Sequence, residues 1–197
     1  MGPFDCASVT LAACQVVLRR LTEDDLPRPS PCAEYTVGEV GQHVTRSMAL
    51  LASVAGEPVG DPAAGQAAGP AADLAAGSAA GSAAGLLEEQ VTVAAEAALA
   101  AWQRRGLGGS VAVGRSTLPA SLAVEIIPLE LLVHGWDIAR ATGSGIDVPP
   151  EVAGYVLGRA RELVTEDKRG RSFAAEVPAG PQATVLQRLI AFTGRVP

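Results

Sequence analysis

Between Ala120 and Thr142 the chain reads "ASLAVEIIPLELLVHGWDIARAT". At helical spacing Leu122, Val124, Ile126, Ile127, Leu129, Leu131, Leu132, Val133, Ile138 and Ala139 cover every face. A helix that is apolar all round has no side to give to water, so it belongs in the middle of a bundle. Gly143 provides a C-terminal stop, and Pro128 predicts a kink, or a break and restart, one turn before Glu130.

The partners for such a helix are legible on both sides of it. Residues 7–21 place Val9, Ala13, Val16, Val17 and Leu21 at helical intervals and predict a first helix. The proline-rich "LPRPSPCAEY" that follows predicts an extended connection, because each proline removes an amide donor and restricts the residue before it. Thr36 and Glu39 then form a capping-box pattern that opens a second helix through His43, Val44, Met48 and Leu51 to about Val54. A third helix is expected over Leu86–Arg105, ended by Gly106, and "GGSVAVGRSTLP" reads as a strand-like connector. Shorter helices over Pro150–Thr165 and Gln182–Phe192 should pack on the outside. The stretch 56–85, built of AAGx units, is too poor in large side chains to offset its ordering entropy and reads as a low-complexity loop. Aromatic residues are only 4%, and alanine is abundant, which suits close helices better than sheet. The expectation is a single all-α domain over residues 1–197.

Several function classes recede on composition. A net charge of -6 with scattered arginines offers no basic stripe to a phosphate backbone, so no nucleic-acid partner is expected. The opening "MGPFDCASV" lacks a cationic leader, and no window approaches the ~18 consecutive apolar residues of a membrane span. A cytoplasmic protein without membrane contact is expected. Cys6, Cys14 and Cys32 are an odd set without CxxC spacing, read as free and mostly buried thiols.

Glu130 and His134 need an explanation inside so apolar a helix. At about 100° per residue they lie about 40° apart on the wheel, with Asp137 about 20° to the other side of Glu130. A carboxylate facing the bundle interior costs several kcal/mol unless something compensates it. One compensation is a plain Glu–His hydrogen bond. The other is a divalent cation: His43, the remaining histidine of the chain, also lies within a helix, and His43, Glu130 and His134 together make the three-ligand set of a catalytic zinc site with one position left open. Asp137 would orient a ligand from behind, and Arg46, one turn after His43, is a candidate for holding a substrate carboxylate. Arg140 has the same standing, whereas Trp136 reads as packing.

"PSPCAEYTVGEVGQHV", "ELLVHGWDIARATG" and "LQRLIAFTGR" resemble the actinobacterial DinB-like family that includes the N-terminal domain of mycothiol-dependent maleylpyruvate isomerase. The resemblance spans most of the chain outside the Ala/Gly stretch and implies a four-helix bundle, here with short additional C-terminal helices. It implies a divalent metal, zinc first and nickel second, on His43, Glu130 and His134, and mycothiol or a similar low-molecular-weight thiol as cosubstrate. The activity implied is metal-dependent thiol transfer or addition to a small electrophile, in a transferase or isomerase manner; the alternative is a non-catalytic metal-binding bundle. The implied partners are that thiol and a small-molecule substrate, with a homodimer compatible with the reading. Two departures matter. Tyr35 stands where the family often has Trp, and the chain has no room for the isomerase's additional domain, which puts maleylpyruvate isomerisation itself in doubt.

Overall fold

The computed structural model describes the chain apart from residues 33, 57–81 and 171. The expected low-complexity loop at 56–85 therefore falls almost wholly outside the described residues. Four long helices form the body: α1 (Pro3–Leu18), α2 (Val37–Gly56), α3 (Ala83–Arg105) and α5 (Ile126–Ala141), the last preceded by a short hairpin of β1 (Ser110–Val113) and β2 (Ser116–Pro119) and a single turn, α4 (Ala120–Ala123). Helix α2 packs on α3 and α5, and α1 closes the ring by packing on the same two. The outer pair α6 (Pro150–Leu163) and α7 (Val185–Phe192) pack on each other, with α6 also resting on α1 and α5. No helix among the described residues is long and apolar enough to cross a membrane.

The fold is all-α apart from that hairpin, and most starts and stops follow local chemistry. Thr36 Oγ1 accepts from the Glu39 amide at 3.3 Å while the Glu39 carboxylate accepts from the Thr36 amide at 2.8 Å, the reciprocal cap expected of "TVGE". The α2–α3 contact is close because Gly41 has no side chain; a Cβ there would lie 2.7 Å from the Leu87 side chain. At α7 the start is set by a capping box of Thr184 and Gln187, so the helix begins at Val185 and not at Gln182.

Two expectations need correction. Helix α1 begins earlier, with Pro3 in its first turn, and turns a different face inward: Cys6, Leu11, Cys14, Val17 and Leu18 are buried, while Val9 and Val16 are exposed. The thiols decided this, since free cysteine packs as a small hydrophobe. The segment 120–142 breaks and restarts as expected, but ahead of Pro128 and not at it. The chain turns at Val124–Glu125, and Pro128 sits in the first turn of α5, where its missing N–H leaves nothing unpaired.

Candidate metal centre

Glu130 and His134 project from α5 and His43 from the facing α2, so the packing of those two helices brings all three together. His43 Nε2 lies 3.3 Å and His134 Nε2 3.7 Å from the same atom, Glu130 Oε2. The two imidazoles meet edge to face with centroids 4.9 Å apart. One nitrogen or oxygen from each residue falls within 4.8 Å of the others. Despite these approaches, Glu130 Oε2 is buried without a hydrogen-bond partner among the described residues. Burial pushes this carboxyl up, but His43, His134 and Ser47 outweigh it and hold the group at about 2, so it is an anion.

Behind His134 stands a charged support. Its Nδ1 is 2.9 Å from Asp137 Oδ2, and Asp137 is fully buried. Burial raises the Asp137 carboxyl, yet His134 and Arg195 together bring it below the usual carboxylate range. An ionised Asp137 accepts a hydrogen bond from Nδ1–H, which leaves the lone pair on Nε2, the nitrogen that faces Glu130. Asp137 is itself gripped by Arg195, whose Nε donates to Oδ1 at 2.7 Å and Nη2 to Oδ2 at 2.8 Å. That two-pronged geometry is the strong form of a carboxylate–guanidinium pair.

Arg195 reaches this position because residues 193–195 run tightly against residue 174. Gly194 has φ +87°, and a Cβ on it would lie 2.6 Å from that of Ala174. A left-handed backbone and the absence of a side chain are both required there. The C-terminal stretch thus forms one wall of a cavity of about 640 Å³, with Gly170, Ser172 and Phe173 beside it and Glu130, His43 and His134 on the opposite side. Tyr35 covers His43, its ring stacked at a centroid distance of 5.7 Å. The connector carrying Tyr35 is fixed by Tyr35 N–H donating to Cys32 C=O at 2.8 Å and Val37 N–H to Arg28 C=O at 2.9 Å.

Of the residues singled out in the sequence, His43, Glu130 and His134 converge on one point, and Asp137 backs His134 from its Nδ1 side. Arg46 does not join them. It lies about 60° round the α2 wheel from His43 and its side chain is exposed, outside the cavity lining. Arg140 is exposed on α5 for the same reason, and Trp136 packs against the core. Two residues of the site were not singled out. Arg195 belongs to the "FTGR" end of a stretch already quoted for the resemblance, so a signal existed. Cys32 was read only as one of three buried thiols; Cys6 and Cys14 are buried, but Cys32 is half-exposed on the cavity wall, and a sulfur–nitrogen–oxygen set of Cys32, His134 and Asp137 lies within the same 4.8 Å limit. Burial pushes the Cys32 thiol up, so it is held as S–H.

Residues 10–139 match the family of the mycothiol maleylpyruvate isomerase N-terminal domain. The chain belongs to that family. It is also similar to two proteins described as uncharacterized, one from each of two Mycobacterium tuberculosis strains, each 30% identical over 197 residues, with 99% of this chain and 98% of the relative covered. No solved structure gives a significant match. The family match ends at residue 139, so Arg195 and the wall formed by Gly170, Ser172, Phe173 and Ala174 lie beyond it.

The donor set fits the divalent cation that the family suggests. Two imidazole nitrogens and an anionic carboxylate are ligands that zinc and nickel both accept. The carboxylate oxygen lacking a donor is the atom a cation would satisfy, and leaving such an atom bare in a buried place costs about 1–3 kcal/mol.

Proposed function

We propose that the protein is a divalent-metal-dependent enzyme that activates a low-molecular-weight thiol, of the mycothiol kind, for transfer or addition to a small electrophile. The observation that carries this reading is Glu130 Oε2, anionic, buried and without a hydrogen-bond partner among the described residues, between two Nε2 atoms in the lining of an open cavity. Bound to His43, Glu130 and His134, a zinc or nickel ion would supply Lewis acidity at an open position, lowering the pKa of a thiol brought there and polarising a carbonyl.

The chain's own residues account for the remainder. Asp137 holds the Nδ1 proton of His134 and so keeps its Nε2 free of one. Arg195 fixes Asp137 in turn. Tyr35 packs on the His43 ring and limits its rotation. Leu129, Val133 and Phe173 give the cavity apolar walls that displace water around a reacting sulfur. At about 640 Å³ the space accommodates a small-molecule thiol together with a compact acceptor. The family's name supplies the thiol class; the acceptor is a small electrophile.

The experiment joins metal analysis to turnover. Purified protein is expected to carry one divalent ion per chain and to consume mycothiol in the presence of at least one member of an electrophile panel, with both properties lost in Glu130→Gln. One ion per chain without thiol consumption by any member leaves a metal-binding bundle and defeats the enzyme reading. No stoichiometric ion defeats both.

A further inference from the structure

His134 is shared by two ligand sets. Through Nε2 it faces His43 and Glu130; through Nδ1 it faces Asp137, with Cys32 close by. The two sets differ in character, since one offers nitrogen and carboxylate and the other adds a sulfur, a ligand that soft and borderline cations favour. A single cation cannot use both faces of the ring at once while Asp137 holds the Nδ1 proton. What separates the sets is Arg195. Its guanidinium occupies both oxygens of Asp137 at 2.7 and 2.8 Å, and its Nη1 is tied to the Thr193 carbonyl at 3.2 Å. In that arrangement the charge of Asp137 is already paired and both of its oxygens are engaged.

We propose that Arg195 decides which of these sets holds the cation: by saturating Asp137 it keeps the ion on His43, Glu130 and His134, and it keeps the site Cys32–His134–Asp137 closed. This rests on the metal reading given above and adds a second, latent thiolate site to it. Without the guanidinium, Asp137 is a buried carboxylate facing one imidazole, and an uncompensated buried charge draws in the nearest cation. Cys32 then becomes a ligand, its S–H proton passing to solvent as the metal–sulfur bond forms, while His134 gives up its Nδ1 proton to the same end. Arg195 is a positioning residue in this account, since it acts on the ion only through Asp137.

Cobalt(II) reads the difference directly, because thiolate ligation gives it an intense near-ultraviolet charge-transfer band that imidazole and carboxylate do not. The unsubstituted chain loaded with cobalt should show visible ligand-field absorption and no thiolate band. Arg195→Met should acquire the band, and the double variant Arg195→Met with Cys32→Ser should lose it. Arg195→Gln keeps an amide donor to Asp137 while losing the charge, and it carries the same expectation if the methionine variant fails to fold. Arg195→Lys keeps the charge and should keep the parental spectrum. As an independent readout, cobalt should protect Cys32 from alkylation in Arg195→Gln and leave it unprotected in the parent. Cobalt bound by the substituted chains without a thiolate band overturns the proposal alone, as does such a band in the parent. Failure of the parent to bind cobalt at all overturns the metal reading and the proposal with it.

Discussion

Two glutamates lie five residues apart, Glu125 buried and Glu130 half-buried, and the bundle treats them oppositely. Glu125 stands at the turn between α4 and α5, 3% exposed, with the Tyr155 hydroxyl donating to its Oε1. Burial raises its carboxyl, and the hydrogen bond from Tyr155 only partly offsets that. Glu130, one turn into α5, is held at about 2 by two imidazoles and Ser47 despite burial of the same kind. Each has an oxygen without a hydrogen-bond partner among the described residues. Burial by itself favours the neutral acid; it takes nitrogen-bearing partners from a second helix to keep a carboxylate anionic and able to ligate. Tyr155 comes from α6, on the outside of the bundle, and His43 from α2, within it. The difference between Glu125 and the proposed ligand Glu130 lies in what the opposite helix presents.

The comparison breaks most decisively at Glu130 itself. Glu130→Gln should lower divalent-cation affinity by more than about a hundredfold, given that outer-sphere partners alone cost 10–100-fold, while Glu125→Gln leaves it unchanged; calorimetric titration with zinc reads both, and equal losses would erase the distinction. Next in size, Asp137→Asn should weaken the same titration by about 10–100-fold, because the amide no longer selects the Nδ1–H form of His134. Tyr155→Phe strips Glu125 of its donor and should destabilise the fold by about 1–3 kcal/mol in urea unfolding without moving cation affinity.

A pH series sharpens the contrast further. A carboxyl whose folded pKa is raised contributes stability that is whole below its unfolded value, about 4.3, and is lost as pH rises through the folded value. Glu125→Gln removes that loss, so its melting temperature relative to the parent should climb between about pH 4 and pH 7, measured by circular dichroism on the metal-free chains. A flat difference across that range would mean that Glu125 is ionised like Glu130. The smallest effect belongs to Arg46→Ala, which should change unfolding free energy by no more than about 0.5 kcal/mol and leave zinc titration as it was.

Local pattern carried much of the molecule. The cap at Thr36 and Glu39, the glycine stop at Gly106 and the apolar circumference of 120–142 each encode an element without reference to anything distant. The wheel also placed Glu130, His134 and Asp137 on one face, since i, i+4 and i+7 positions are fixed by helix geometry. Where the sequence reading erred, the cause was tertiary: at α1 Cys6 and Cys14 turned inward in place of Val9 and Val16, and at Arg46 spacing of three residues was not enough to enter the cavity.

Two matters were decided only by the assembled fold. One is that Glu130 Oε2 meets two imidazoles without a hydrogen-bond partner among the described residues, because the distance between α2 and α5 depends on every side chain packed between them. The other is the hold of Arg195 on Asp137 across 58 positions of chain, made possible by Gly194 passing against Ala174. Helical periodicity fixes neighbours within a turn or two; a contact between residues so far apart exists only when the whole bundle, with its outer pair α6 and α7, has closed around it.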